Sequence, residues 1–144
     1  MAVGKTTVRD SNFASYKCSD STIASGVIVQ LDTSNTSNTE TVVKAATASS
    51  QIPIGITTTA TAAADEEVTI QIGGIALCWV DGNAGAISEG QHVIATTAGQ
   101  GIVVAAVGVA NQYPIGVALQ PSAADNDYIP ILIHGPAAVN KGTA

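Results

Sequence analysis

Gln51-Ile52-Pro53-Ile54-Gly55-Ile56 recurs as Gln112-Tyr113-Pro114-Ile115-Gly116-Val117. The same spacing of 61 (112 minus 51) carries Ile70, Ile72, Gly74 and Ala76 onto Ile131, Ile133, Gly135 and Ala137 without a gap. Upstream it sets Val42-Val43 against Val103-Val104 and Ala45 against Ala106. One spacing that aligns a turn, a strand and an exit glycine means that the chain folds one structural idea twice. Catalytic centres usually sit at unique positions, so a duplicated module with nothing reactive repeated in it points to scaffolding. Within each copy, proline fixes φ and removes a donor while glycine allows close backbone approach, which places the segment at the start of a strand or at a bulge.

Around this repeat, apolar residues alternate with a period of two. Val27, Val29 and Leu31 share one face of a strand, and Thr41 to Ala46 returns as its hairpin partner after a Ser/Thr/Asn loop at 33–39. Val68, Ile70 and Ile72 form a second clean alternation after the acidic turn Asp65-Glu66-Glu67, followed by the apolar run Ile75 to Val80. The second copy reads His92 to Thr96, Ile102 to Val107 and Tyr128 to Ile133, with Asp125-Asn126-Asp127 as its acidic turn. Pro130 lies inside the last of these strands, which predicts an edge position. No stretch sustains a helical period. The fold class expected is all-β, with two pseudo-repeated antiparallel modules (about 26–86 and 87–140) in a single 23–144 domain that forms a sandwich or small barrel. Residues 1–22, rich in Ser, Thr, Lys, Asp and Asn, read as an extended N-terminal arm.

Charged residues are only 11% and aromatics 3%, so the core must be built from small and β-branched side chains. The first 20 residues carry Lys5, Arg9 and Lys17 against Asp10 and Asp20, a balance of +1, and the body carries Lys44 and Lys141 against nine acids, so the net charge of -6 comes from the body. An acidic body argues against nucleic acid as a partner, since neutralising phosphates needs clustered Lys and Arg. No signal-like apolar segment opens the sequence and no run approaches the roughly 18 apolar residues of a membrane span, so the expectation is a soluble chain with no membrane partner. Cys18 and Cys78 stand without a second pair, which fits reduced, buried cysteines better than a disulfide framework or a zinc site.

The candidates for chemistry are few. His92 and His134 need a third group to act as a catalytic or metal centre, and the sequence identifies none. Asp81, Asn83, Asp125 and Asp127 invite a calcium reading, but each cluster offers two oxygens and tight turns demand these residues for backbone reasons. Nucleophile-elbow, phosphate-loop and dinucleotide motifs are missing from the sequence. Trp79, in an apolar strand with Cys78, reads as a core plug ahead of a sugar platform. The sequence therefore assigns no catalytic residue, no metal and no cofactor.

With its doubled Pro-Ile-Gly segment, its Ala/Thr/Gly/Val-rich body, the opening Gly26-Val27-Ile28-Val29 strand and the Glu89-Gly90 turn before a second module, the chain resembles the capsid decoration, or cement, proteins of tailed bacteriophages. The family was long catalogued as a domain of unknown function and is sometimes mislabelled recombinase-like; the resemblance spans roughly 22–135. It implies a non-enzymatic structural protein, made in the host cytoplasm, that joins the outer surface of the virion head and stabilises junctions between major capsid subunits. The partners so implied are the major capsid protein and further copies of the chain, a trimer favoured and a dimer possible. The arm residues Lys5, Val8, Arg9, Phe13, Tyr16 and Lys17 are the expected contact set. Rival readings are a small hydrolase or lyase using His92 or His134, and a glycan- or surface-binding module displaying Trp79 and Tyr113.

Overall fold

The structure, a computed structural model, describes residues 12–36, 40–104 and 111–134. Ten strands run in chain order: β1 Phe13–Cys18, β2 Ile28–Leu31, β3 Val42–Ala45, β4 Pro53–Thr57, β5 Glu67–Gln71, β6 Gly74–Trp79, β7 His92–Ala95, β8 Gly101–Val103, β9 Gly116–Ala118 and β10 Tyr128–Ile133. Two single turns of 3-10 helix, Gly82–Ala84 and Thr97–Gly99, are the helical elements among the described residues. The chain is all-β. No described helix is long and apolar enough to cross a membrane.

The first five strands close into a barrel in the order β1-β3-β2-β4-β5, and the last five form a sheet in the order β6-β10-β9-β7-β8. Read round the ring in the other direction, β1-β5-β4-β2-β3, the barrel order matches that of the second sheet position for position, with β6 taking the place of β1. All pairings are antiparallel except β1 with β3, where Lys17 and Cys18 face Val42 and Val43 in parallel. A closed ring of five strands cannot alternate direction all the way round, so one parallel contact is obligatory. In the second sheet the edges β6 and β8 meet through one parallel bridge, Val80 with Gly101. It matches the barrel closure down to its hydrogen bond: Ser19 N donates to Val43 O at 2.9 Å, and Asp81 N donates to Gly101 O at 3.0 Å.

Strand register fixes how the copies align. Ile56 faces Gln71 and Thr57 faces Ile70, while Val117 faces Leu132 and Ala118 faces Ile131, so the spacing of 61 (117 minus 56) holds across this ladder. It does not hold upstream. Val29 pairs with Gly55 and Ala45, and Val93 pairs with Gly116 and Val103, so β2 corresponds to β7 at 64 (93 minus 29) and β3 to β8 at 58 (103 minus 45). The sequence match of Val42-Val43 with Val103-Val104 is therefore out of register, because the hairpin loop of the second copy is six residues shorter (64 minus 58).

Gly55 and Gly116 recur for a shared reason: a Cβ on Gly55 would collide with the Gln71 carbonyl oxygen, and one on Gly116 with the Leu132 carbonyl oxygen. Pro53-Ile54-Gly55 is a bulge on β4, since Gly55 faces Val29 while Pro53 faces Gln30. The extra residue, Ile54, turns toward the barrel interior, and Ile56 turns out toward the second sheet.

Three sequence expectations change here. Residues 13–18 of the expected 1–22 arm are barrel wall, paired along five positions with β5. Their polar look arises because β1 alternates Phe13, Ser15 and Lys17 outward with Ala14, Tyr16 and Cys18 inward. The strand Gly74–Trp79, read as the end of the first repeat, is instead the first strand of the second sheet. Pro130 lies in an interior strand, between β6 and β9. It is tolerated because β9 has already ended at Ala118: the Pro130 carbonyl accepts from Leu119 N, and no ladder acceptor needs its missing N–H. At the equivalent position of the barrel, Thr69 N donates to a side chain, Thr59 Oγ1, at 3.0 Å.

Two clusters form the core. Val27, Val29, Val43, Val68 and Ile70 fill the barrel with Cys18. Cys78, Val93, Ile115, Ile129 and Ile131 line the second sheet and continue onto Ile28, Ala46 and Ile56, the outward residues of the barrel.

Candidate partner-binding surface

Of the six arm residues expected to meet a partner, Lys5, Val8 and Arg9 lie outside the described residues. The other three sit on one strand but face differently. Phe13 is half-exposed at the mouth of a cleft of about 370 Å³ between barrel and sheet, lined also by Ser25, Thr57, Gln71, Leu77 and Tyr128. Tyr16 leans on the barrel core. Lys17 points outward and pairs with Glu40 at 2.9 Å, and the hydrogen bond to Glu40 raises the lysine pKa. Strand alternation thus divides a set that the sequence grouped together.

The two histidines, His92 at the start of β7 and His134 just past β10, come together. His92 Nδ1 and His134 Nε2 are 3.2 Å apart, edge to face, because β7 and β10 flank the short β9. Among the described residues no third His, Cys, Asp or Glu joins them in a metal-binding group. The acidic turns hold their own loops. Asp81 accepts from Asn83 N and Ala84 N, Asp125 accepts from the side-chain amides of Asn83 and Asn126, and Asp127 accepts from Ala123 N and Tyr128 N. Glu66 does in the barrel what Asp127 does in the sheet, accepting from Ala62 N at 2.7 Å.

Trp79 is partly buried against the barrel cluster and donates through Nε1 to Asn126 at 3.1 Å. It lies at the seam between the modules, where its N–H donates to Gly26 O. Tyr113 is at the seam too, donating from its backbone to Ser49 O at 2.9 Å. Both cysteines are buried thiols. Burial pushes the Cys78 thiol up to about 12, and that of Cys18 rises for the same reason.

An exposed apolar face stands outside the residues that the sequence pointed to. On the outer face of β6 and β10, Ile75 faces Leu132, Leu77 faces Pro130 and Trp79 faces Tyr128, and this face carries no Asp, Glu, Lys or Arg. Ile75, Leu77, Tyr128 and Leu132 are all exposed. The signal was present: Ile75 to Val80 and Tyr128 to Ile133 are apolar at both parities, and a strand covered on one side needs that at only one.

A family model for phage cement proteins matches residues 8–133. The chain belongs to the phage cement protein family. Among solved structures, the cement chain is similar to the N base of head fiber gp8.5 of bacteriophage phi29, with a TM-score of 0.62 at 12% identity over 87% of this chain and 96% of that one. At that identity the likeness is one of fold. No curated protein sequence matches. This cement protein is thus a doubled five-stranded module.

Proposed function

We propose that this protein is a non-enzymatic component of the virion that binds the outer surface of a bacteriophage head, acts as a homo-oligomer with a trimer favoured, and stabilises junctions between major capsid subunits. Membership of the cement family carries this reading. Physical support comes from the surface: few charges, side-chain carboxylates engaged in turns, and a rigid doubled sheet. In this reading synthesis is in the host cytoplasm, and neither nucleic acid nor membrane is a partner.

Shell contact is assigned to the N-terminal residues Lys5, Val8 and Arg9 together with Phe13 and Lys17, with Tyr16 as the inward anchor of the strand that carries them. Several copies attached together convert a modest contact per copy into firm attachment to the shell. The test must spare β1, because Asn12 O accepts from Ile72 N at 2.7 Å and β1 closes the barrel. Deleting residues 1–11 is expected to abolish occupancy of expanded heads while the β-type circular dichroism and the unfolding midpoint stay as in wild type. Wild-type occupancy by the deletion variant would overturn the assignment.

A further inference from the structure

The two copies of the module differ in chemistry at one pair of positions. Through the spacings given above, His92 takes the place of Ile28 (92 minus 64) and His134 that of Gly73 (134 minus 61). The barrel builds these places with an apolar side chain and with none, so the module itself does not call for histidine there. Yet both histidines of the chain meet at this spot.

Their backbones are pinned to one strand between them. His92 faces Val117 of β9, and its carbonyl accepts from Val104 N at 3.1 Å. His134 donates its N–H at 3.2 Å to the carbonyl of Ile115, the residue that leads into β9. From these anchors the rings meet at the exposed surface, with Nδ1 of His92 3.2 Å from Nε2 of His134. They stand edge to face at 81°, so they do not stack and the facing nitrogens lie at the ring edges. A neutral hydrogen bond in contact with water adds little to stability.

The separation also suits a shared ion. Nitrogen ligands lie about 2.0–2.1 Å from zinc, which sets two of them roughly 3.3–3.4 Å apart at a tetrahedral angle and roughly 2.8–3.0 Å apart at a right angle. The observed 3.2 Å falls between these spans. In the bare pair one nitrogen donates and the other accepts. A neutral imidazole can carry its hydrogen on either nitrogen, so moving the bridging hydrogen to the far nitrogen of its own ring leaves two lone pairs facing the gap, with no proton gained or lost.

We propose that His92 and His134 form a two-nitrogen site for a divalent transition ion, Cu²⁺, Ni²⁺ or Zn²⁺, with water completing the coordination. Imidazole suits these ions, and Cu²⁺ is held most tightly of the three. Calcium and magnesium demand several oxygen ligands, and among the described residues no Asp or Glu joins the pair in a metal-binding group. An ion held here ties the start of β7 to the end of β10 across β9, and binding the folded chain alone stabilises it. The site is independent of the head-binding role proposed above.

The full chain, carrying no histidine tag, tests this by calorimetric titration with Cu²⁺, Ni²⁺ and Zn²⁺ salts, with Ca²⁺ as the control. Wild type is expected to take up one ion per chain from each of the first three and none from Ca²⁺. Zn²⁺ should raise its unfolding midpoint, and bound Cu²⁺ should show nitrogen couplings in electron paramagnetic resonance. His92→Ala and His134→Ala should each weaken binding by more than about tenfold, since the loss of even an outer-shell partner can do that much. His92→Gln separates ligation from hydrogen bonding: glutamine can still hydrogen-bond to His134 but is a poor ligand for these ions, so binding should fall as in His92→Ala. Near-ultraviolet circular dichroism confirms the fold of each variant, and His134→Ala with His92→Gln decides the matter if His92→Ala misfolds. A wild type that takes up no ion, folded alanine variants that bind as tightly as wild type, or wild-type affinity in His92→Gln would overturn the site and leave the pair a hydrogen bond only.

Discussion

Asp65 and Asn126 hold the same left-handed backbone conformation, φ 65° and 59°, at the tips of the two acidic turns. Each donates its N–H at the end of the closing strand, Asp65 to the O of Cys18, the last residue of β1, and Asn126 to the O of Val80, just past β6. Left-handed backbone costs a branched side chain roughly 1–2 kcal/mol, so Asp65→Val should lower stability by about that much in a denaturant titration. Asp65→Gly should leave it unchanged or slightly raised. Asn126→Gly should be destabilising despite its permissive backbone, because the Trp79 indole and the Gln100 amide both donate to the Asn126 side chain.

The repeated glycines make a second case. A methyl at Gly116 has nowhere to go but into the Leu132 carbonyl and Ile131, and one at Gly55 meets the Gln71 carbonyl and Ile70. Gly116→Ala and Gly55→Ala are each expected to cost about 1–3 kcal/mol, the range of overpacking. Gly90→Ala is the control: open space surrounds it, and only its positive φ should count. Equal unfolding midpoints for Gly116→Ala and wild type would contradict the close strand approach.

Asp32 gives a pH-dependent term. Hydrogen bonds from Ser34 first, then from Ser19 and Lys44, hold its carboxyl well below the usual carboxylate range. Ser34 Oγ donates at 2.6 Å and Lys44 Nζ at 3.0 Å. A depressed folded value means that the stabilisation is fully present above the unfolded pKa of about 3.9 and is lost as pH falls through the folded value. Asp32→Asn should therefore lower the unfolding midpoint at neutral pH, and the gap from wild type should close in strong acid.

The thiols offer a kinetic check. Cys78 is fully buried with its thiol pushed up to about 12, and Cys18 is buried in the barrel core. Reactivity needs an exposed thiolate. Neither cysteine should react with a thiol reagent at pH 8 in the native protein, and both should react at once in denaturant. Rapid native labelling of Cys78 would contradict the packing of the second core.

How far the fold was legible varies by element. Alternation in Val68 to Ile72 and the Pro-Ile-Gly repeat were strong signals because each residue there answers to its immediate neighbours: a pleat, a fixed φ, a carbonyl with no room for a methyl. β1 was not legible. Only half of its residues face the core, those are Ala, Tyr and Cys, and its role depends on partners in β5 that lie 50 (67 minus 17) to 58 (71 minus 13) positions away. Of the expected contact residues, the sequence could place Phe13, Tyr16 and Lys17 near each other but could not say that a strand would turn Tyr16 inward and its neighbours out. The meeting of His92 with His134 was equally hidden, since it requires both strands to flank a three-residue β9.

By itself, the sequence determined that the protein is all-β, that it repeats one module, and that its turns need Asp, Asn and Gly at set places, because these follow from local backbone chemistry and side-chain period. Tertiary structure alone decided where each copy begins, how β2 and β3 align with β7 and β8 despite unequal loops, and which apolar faces are buried. Those depend on barrel closure, which forces one parallel contact among five strands, and on one module covering the other. Ile56 and Val117 hold the same position in the two copies and are alike in character. Only the fold buries the first completely and leaves the second half-buried.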